Sequence, residues 1–390
     1  MDQSSEKIEI SVVMPCLNEA DTIGLCVEKA VRALQDLQVC GEIVVVDNGS
    51  TDGSPEIALA TGARVVHQPI PGYGSAYLKG IAEARGRYIV IGDSDDTYDF
   101  GELERFLAPL YEGYDLVIGS RFKGEILPGA MPWLHRYIGN PVLTGILNFL
   151  FRSGISDAHC GMRSFTRPAY DRMYLQTTGM EFASEMVIRA AQARMKIAEV
   201  PITYYPRAGR SKLRSIPDGW RHLRFMLLYS PTYVLLLPGL SMWLLGMLIV
   251  AVLLPGPLPI GGHAYDVHFM ILGASLALLG FQVFNMGIYV RTYAVTEHFD
   301  EQDSFLTWFW RHFSLEKGLL VGGLVFLLGL GIDTYILFLW IARDFGPLYE
   351  FRTALAAMVL VLLGAQTIFS SFFLSMLGIR KASGNRSRDL

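Results

Sequence analysis

Ile89-Val90-Ile91-Gly92-Asp93-Ser94-Asp95-Asp96-Thr97 begins as an apolar run and ends abruptly in three carboxylates. The apolar part reads as a buried strand. Carboxylates this close repel, and burying them without a cation is costly. The stretch is therefore either a solvated acidic turn or a site for a divalent metal carrying a phosphorylated ligand. The surrounding chain decides between the two.

Outward from this stretch, strand and helix patterns alternate. Residues 8–14 form a strand pattern that stops at Pro15, and residues 20–37 fit an amphipathic helix with Ile23, Val27, Ala30, Val31 and Leu34 on one face. The β-branched run at 43–46 ends in Asp47-Asn48-Gly49-Ser50-Thr51-Asp52-Gly53. A short helix, a strand at 64–67, a helix at about 75–84 and the strand into Asp93 follow, then another helix and a strand at 116–119. Continuous apolar strands between helices predict a parallel α/β sheet. In such sheets ligands bind at the carboxyl ends of the strands. Asn18-Glu19, Asp47-Asn48 and Asp93 to Asp96 all fall there. Neither a G-x-G-x-x-G nor a G-x-x-x-x-G-K-[ST] phosphate motif is present.

The 390 residues are 51% hydrophobic and only 18% charged, which leans toward a membrane protein. The average hides a split near residue 225, after which long apolar runs dominate. The division predicted is a catalytic domain at 1–213, an interfacial amphipathic helix at 214–229, a transmembrane domain at 230–378 and a tail at 379–390. Four segments are long enough to span a bilayer, at about 230–254, 267–290, 318–341 and 353–377. Asp333 is the acidic residue inside one of them, facing a partner helix or an interface. The 255–266 loop has no Lys or Arg, whereas Arg291, Arg311 and Lys317 and the tail residues Arg380, Lys381, Arg386 and Arg388 mark the other side. Arg343 and Arg352 in the third loop weaken this asymmetry without reversing it. This predicts a multi-pass protein with both ends and the catalytic domain in the cytoplasm. The polar, acidic N-terminus is not a signal peptide. Residues 132–151, with Trp133, His135, Arg136 and Arg152, and 216–229, with Trp220, Arg221, His222 and Arg224, read as interfacial, or else as helices packed on the sheet. A net charge of -4 gives no reason to expect nucleic acid. Cys16, Cys26, Cys40 and Cys160 lack disulfide or metal spacing and read as reduced thiols.

Val13-Met14-Pro15-Cys16-Leu17-Asn18-Glu19, the Val45 to Gly53 segment and Asp93-Ser94-Asp95-Asp96, in that order, resemble the family 2 glycosyltransferases of GT-A fold. Gly119-Ser120-Arg121-Phe122, Ser156-Asp157-Ala158-His159-Cys160-Gly161-Met162-Arg163 and Glu199-Val200-Pro201-Ile202-Thr203-Tyr204 are similar to segments of the polyprenyl-phosphate sugar synthases. The last is followed, as in those enzymes, by Arg207, Gly209, Ser211, Lys212 and Leu213. The resemblance covers residues 8–225. It implies a mostly parallel, Rossmann-like GT-A domain ahead of the membrane helices, and inverting transfer of a hexose to polyprenyl or dolichyl phosphate. The donor it favours is UDP-glucose, with GDP-mannose the alternative. Pro15, Asn18, Glu19, Asp47, Asp93, Arg207, Ser211 and Lys212 are then donor-binding, and Asp93 and Asp95 hold Mg²⁺ or Mn²⁺ on the diphosphate. Asp95, Arg121, Asp157 and Arg163 form the catalytic set. Thr97 departs from the Gln or Glu common in the mannose synthases, and Met162 from the usual Phe. The Q-x-x-R-W signature of processive synthases is absent; Gly219-Trp220-Arg221 has the wrong order.

The chemistry fits these residue types. A phosphate monoester has a second pKa of about 6, so a phosphate acceptor is largely ionised near neutrality and needs cations more than a base. Arg121 and Arg163 are placed at the acceptor phosphate, with Arg207, Ser211 and Lys212 over the donor diphosphate. Asp157 orients Arg163, assists the acceptor or caps a turn. Glu181 and Glu185 share a helix face, toward either sugar hydroxyls or solvent. His159 reads as structural. Transfer to diacylglycerol or ceramide would make Asp157 or a nearby acid indispensable as a base, and an inactive membrane scaffold is the reading from another class. A homo-oligomer is left open.

Overall fold

The computed structural model describes residues 8–208, 215–296 and 304–377. The chain divides into two units, Met1–Tyr229 and Ser230–Leu390.

In the first unit β1 (Ile10–Cys16), α1 (Ile23–Asp36), β2 (Gly41–Asp47), α2 (Ser54–Ala60), β3 (Arg64–His67), α3 (Tyr73–Glu83) and β4 (Tyr88–Ile91) alternate as predicted. Then come α4 (Leu103–Tyr111), β5 (Leu116–Ile126), α5 (Asn140–Phe151), β6 (Arg163–Thr166), α6 (Arg167–Met173), α7 (Phe182–Gln192), β7 (Ile197–Tyr204) and α8 (Ser215–Leu228). The sheet order is β3-β2-β1-β4-β6-β5-β7. All neighbours are parallel except β6, which runs antiparallel to both β4 and β5. The fold is thus a mostly parallel, GT-A-like α/β domain.

Register explains the site's position. Cys16 pairs with Asp47, Asp47 with His67, and Val13 with Ile91. The carboxyl ends of β1 to β4 therefore lie along one edge. In β1, β2 and β4 side chains on both faces are buried, with Val12, Val13, Val44, Val45, Ile89 and Val90 fully covered, whereas β3 at the sheet edge is only part-buried. That two-sided burial is why these strands are apolar throughout. β1 continues through Pro15 rather than stopping there, because its pairing with β4 has already ended at Val13. A missing N–H costs little where no ladder bond is due. β5 outruns the predicted strand because, past an irregularity between Ser120 and Glu125, it pairs again with β7. The α8 helix packs Phe225 and Met226 into the same core while Trp220 and Leu228 stay exposed.

The second unit contains α9 (Leu237–Leu253), the hairpin β8 (Leu258–Ile260) and β9 (His263–Tyr265), α10 (Val267–Thr296), α11 (Ser304–His312), α12 (Leu315–Ala342) and α13 (Phe351–Leu377). Among the described residues four helical stretches are long and apolar enough to cross a membrane: Thr232–Leu253, Val267–Ala294, Leu315–Ala342 and Phe351–Leu377. Packing of α9 on α10 is close. A Cβ at Gly246 would lie 2.2 Å from the Ala277 amide nitrogen, so only glycine fits there. Arg352 Nε donates to Asp266 Oδ1 at 3.1 Å, tying the approach to α10 to the start of α13. Asp333 lies half-buried on α12.

Candidate active site

Asp93 and Asp95 follow directly on β4. Asp93 Oδ1 accepts the hydroxyls of Tyr73 at 2.9 Å and Tyr77 at 3.1 Å. Burial, and then the charge of Asp95, push the Asp93 carboxyl up to about 6. Asp95 Oδ1 accepts from the Thr97 hydroxyl at 2.6 Å and the Thr97 amide at 3.2 Å. Thr97 thus orients Asp95 through a short local turn. The other oxygen, Oδ2, lies 3.0 Å from Arg207 Nη1, and the same guanidinium pairs with Glu19. Asp96, at φ 57°, turns away to Lys29 at 2.7 Å. Ser94 Oγ donates to the Pro15 carbonyl at 2.7 Å, fastening the acidic loop to β1.

The loops after β1 and β2 are laced together. Asn18 Oδ1 accepts from the Thr51 amide at 2.8 Å, and the Asn18 amide donates to Ser50 Oγ at 3.0 Å. Asp47 accepts from the Ser50 amide at 2.8 Å and lies 3.1 Å from His67 Nδ1. Burial acts to raise Asp47, but the Ser50 and His67 hydrogen bonds outweigh it and hold the carboxyl below its usual range. Asn48 accepts from the Gly72 amide at 2.8 Å, fixing the turn into α3.

A second charged pair joins β5 to the loop before β6. Arg121 grips Asp157 in a fork, Nε to Oδ2 and Nη2 to Oδ1, both at 2.7 Å, and its amide donates to Oδ2 at 3.1 Å. Burial would raise Asp157, yet the Arg121 charge holds it below the ordinary carboxylate range. The guanidinium also lies over the Tyr204 ring, 5.2 Å from its centroid.

These groups meet in one cavity of roughly 490 Å³. Glu19, Asn48, Asp93, Asp95, Arg121 and Arg207 line its polar side, and Met131, Pro132, Leu134, Leu143 and Met180 its apolar side. A divalent ion fits the polar side. Asp93 and Asp95 offer hard oxygens, and a cation would offset the burial and, second to it, the Asp95 repulsion that raise Asp93. Among the described residues no three His, Cys, Asp or Glu side chains converge as a metal cage. A magnesium-like ion would then complete its shell with phosphate oxygens and water.

The sequence profile for Glycosyl transferase family 2 matches residues 11–174, and that for the Glycosyltransferase family 2 C-terminal transmembrane region matches 288–378. The low-salt glycan biosynthesis hexosyltransferase Agl6 of Haloferax volcanii is 44% identical over 370 residues, 95% of this chain and 89% of that protein. The chain belongs to glycosyltransferase family 2. The dolichyl-phosphate hexose transferase of the same organism is 37% identical over 214 residues, 54% of this chain and 89% of its own. The solved glucosyl-3-phosphoglycerate synthase from Mycobacterium tuberculosis with Mn²⁺, UDP-glucose and phosphoglyceric acid covers 57% of this chain and 79% of its own, at 24% identity and a TM-score of 0.46. That likeness is too loose to carry a residue assignment.

In this glycosyltransferase the cavity gathers Pro15, Glu19, Asp93, Asp95, Arg121 and Arg207. Asp47 lies one residue behind the lining Asn48. Ser211 and Lys212 lie outside the described residues. Arg163 is a correction. All three of its guanidinium nitrogens donate to backbone carbonyls, of Cys160 at 2.9 Å, Ala183 at 2.7 Å and Ala158 at 2.8 Å. It is 1% exposed and does not line the cavity, so it braces the loop before β6 instead of meeting an acceptor. Asp157 therefore orients Arg121, not Arg163. Glu185 is also redirected: fully buried, it accepts from the Gln176 and Thr177 amides and is no surface partner of Glu181. His159 lies on the cavity wall with His222, sharing Ser184 Oγ at 3.4 and 2.8 Å. Sequence reasoning missed Tyr73, Tyr77 and Thr97 as supports. The two tyrosines stand four residues apart on a helix, which is the available signal.

Proposed function

We propose that the protein transfers a hexose, with inversion, from a nucleotide-sugar to polyprenyl or dolichyl phosphate, with UDP-glucose the favoured donor and GDP-mannose the alternative. A non-bridging oxygen of the acceptor phosphate attacks the anomeric carbon. The bond from that carbon to the donor diphosphate breaks, and the nucleoside diphosphate leaves with the electron pair. Bound Mg²⁺ or Mn²⁺ would neutralise charge building on the leaving group. Asp95 and Asp93 would hold it, and Arg207 would meet the diphosphate. Pro15, Asn18, Glu19 and Asp47 shape the donor end, and Ser211 and Lys212 join them on sequence alone.

The observation that carries this reading is the Arg121–Asp157 fork. A hydroxyl acceptor needs a base, and the acid expected for it is fully buried and committed to an arginine. An acceptor already ionised needs none. Arg121 lines the cavity, and among the described residues its Nη1 makes no hydrogen bond, which suits it to a phosphate. The apolar side of the cavity suits the first units of a prenyl chain. The exposed Trp133, Tyr137, Phe149 and Trp220 support a bilayer-facing surface on this unit, with the catalytic domain in the cytoplasm and the four helices spanning.

An acceptor comparison tests the reading. With Mg²⁺ and labelled UDP-glucose or GDP-mannose, polyprenyl phosphate is expected to accept label, and free polyprenol, diacylglycerol and ceramide are not. Equal transfer to a hydroxyl lipid would refute it.

A further inference from the structure

We infer that Tyr73 and Tyr77 are positioning residues that fix the carboxylate of Asp93, so that one oxygen, Oδ2, is presented to a metal–diphosphate ligand. The inference rests on the reading that Asp93 and Asp95 hold a divalent ion.

Both phenols converge on the same oxygen, Oδ1. Among the described residues Oδ2 takes no protein hydrogen bond, while Asp93 lines the cavity. Oδ2 borders Gly161, where a Cβ would lie only 2.7 Å from it, so the bare glycine leaves room beside this oxygen. Oδ1 is thus fixed by two donors, while Oδ2 borders a residue without a side chain.

The choice of donor matters. An arginine or lysine would orient Asp93 but also cancel its charge. A phenol orients it and leaves the charge for a cation.

The donors themselves are held. Tyr77 is fully buried, stacks on Phe182 with centroids 5.4 Å apart and meets Tyr73 edge-on at 4.9 Å. The start of α3 is pinned by Gly74 and Ser75 amides donating to the carbonyls of Gly179 at 3.2 Å and Thr178 at 3.0 Å. That loop is pinned in turn by buried Glu185, which accepts from the Thr177 amide at 2.9 Å and hydroxyl at 2.7 Å. A chain of fixed contacts thus runs from α7 to one carboxylate oxygen. This gives buried Glu185 a role in the site without contact to any ligand.

The test uses the full-length protein with Tyr73→Phe, Tyr77→Phe and the pair, which keep the rings and remove only the hydroxyls. Mn²⁺ binding in the presence of UDP or GDP is read by electron paramagnetic resonance, alongside thermal melting and kcat. Loss of groups that orient a metal ligand typically weakens metal binding about 10- to 100-fold. That loss is expected in the double variant, with a lower kcat and an unchanged KM for the acceptor. Wild-type Mn²⁺ affinity in the variants, with only a lower melting temperature, would overturn the inference and leave the metal reading standing. Absence of Mn²⁺ binding by the wild-type protein would overturn both. If Tyr77→Phe does not fold, Tyr73→Phe, on the cavity wall, decides the matter by the same measurements.

Discussion

Arg207 Nη1 lies 3.0 Å from Asp95 Oδ2, and the same guanidinium pairs with Glu19. One cation thus joins the loop after β1, the loop after β4 and the segment after β7. In the proposed site a metal at Asp95 would compete with Arg207 for that oxygen. Once the donor is bound, the proposed place for Arg207 is the diphosphate.

Replacing the cation separates these tasks. Arg207→Met is expected to lower kcat about 10²- to 10³-fold, the usual cost of losing one donor to developing charge. Mn²⁺ affinity without nucleotide is expected to rise, since its competitor is gone. Steady-state kinetics and a Mn²⁺ titration check the two effects, and an unchanged kcat would count against the role.

The acidic run divides internally. Asp95→Asn is expected to abolish turnover. Asp96→Asn is expected to stay within a few-fold of wild type, because Asp96 faces Lys29 and such part-exposed pairs contribute only about 0–1 kcal/mol. Initial rates at saturating donor and metal distinguish them. Full activity in Asp95→Asn with metal still required would refute its assignment.

The Arg121–Asp157 pair is nearly solvent-free, at 7% and 0% side-chain exposure. Removing one partner leaves a buried charge, which typically costs about 3–5 kcal/mol. Asp157→Ala is therefore expected to melt well below wild type. Arg121→Met with Asp157→Leu is expected to recover much of that stability without recovering transfer. Recovery of both would show that Arg121 serves the fold alone.

How much of this was legible in the sequence varies by element. The strands at β2 and β4 announce themselves because two-sided burial demands unbroken apolar runs. The antiparallel β6 does not, since four residues carry no direction. The pairing of Asp47, Asp93 and Asp95 with strand ends was readable from the alternation alone. The partner of Asp157 was not: Arg121 and Arg163 are both arginines near it in motif order, and only the fold shows which one faces backbone carbonyls. Thr97 was legible as a departure from pattern, but its bond to Asp95 depends on the local turn. Tyr73 and Tyr77 were hidden because aromatic residues at helical spacing look like ordinary core.

Stability is expected to fall in acid because of His222. Burial, the main cause, pulls its pKa down to about 4 from an ordinary 6.5. The folded state then binds this proton less tightly than the unfolded state. Its contribution to stability is full above about 6.5 and is lost as pH falls toward about 4. His159, also lowered by burial first, acts in the same direction. His222→Phe is expected to flatten the melting-temperature profile across that window, after an offset for the lost Ser184 bond. An equally steep profile in the variant would assign the acid sensitivity elsewhere.

The most direct test is the product itself. Purified protein is incubated with Mn²⁺, polyprenyl phosphate and sugar-labelled UDP-glucose or GDP-mannose, and the extracted lipid is examined by mass spectrometry and anomeric NMR. The predicted result is a β-linked hexosyl phosphate lipid, formed best from UDP-glucose and absent when EDTA replaces the metal. No labelled lipid phosphate with either donor would contradict the account.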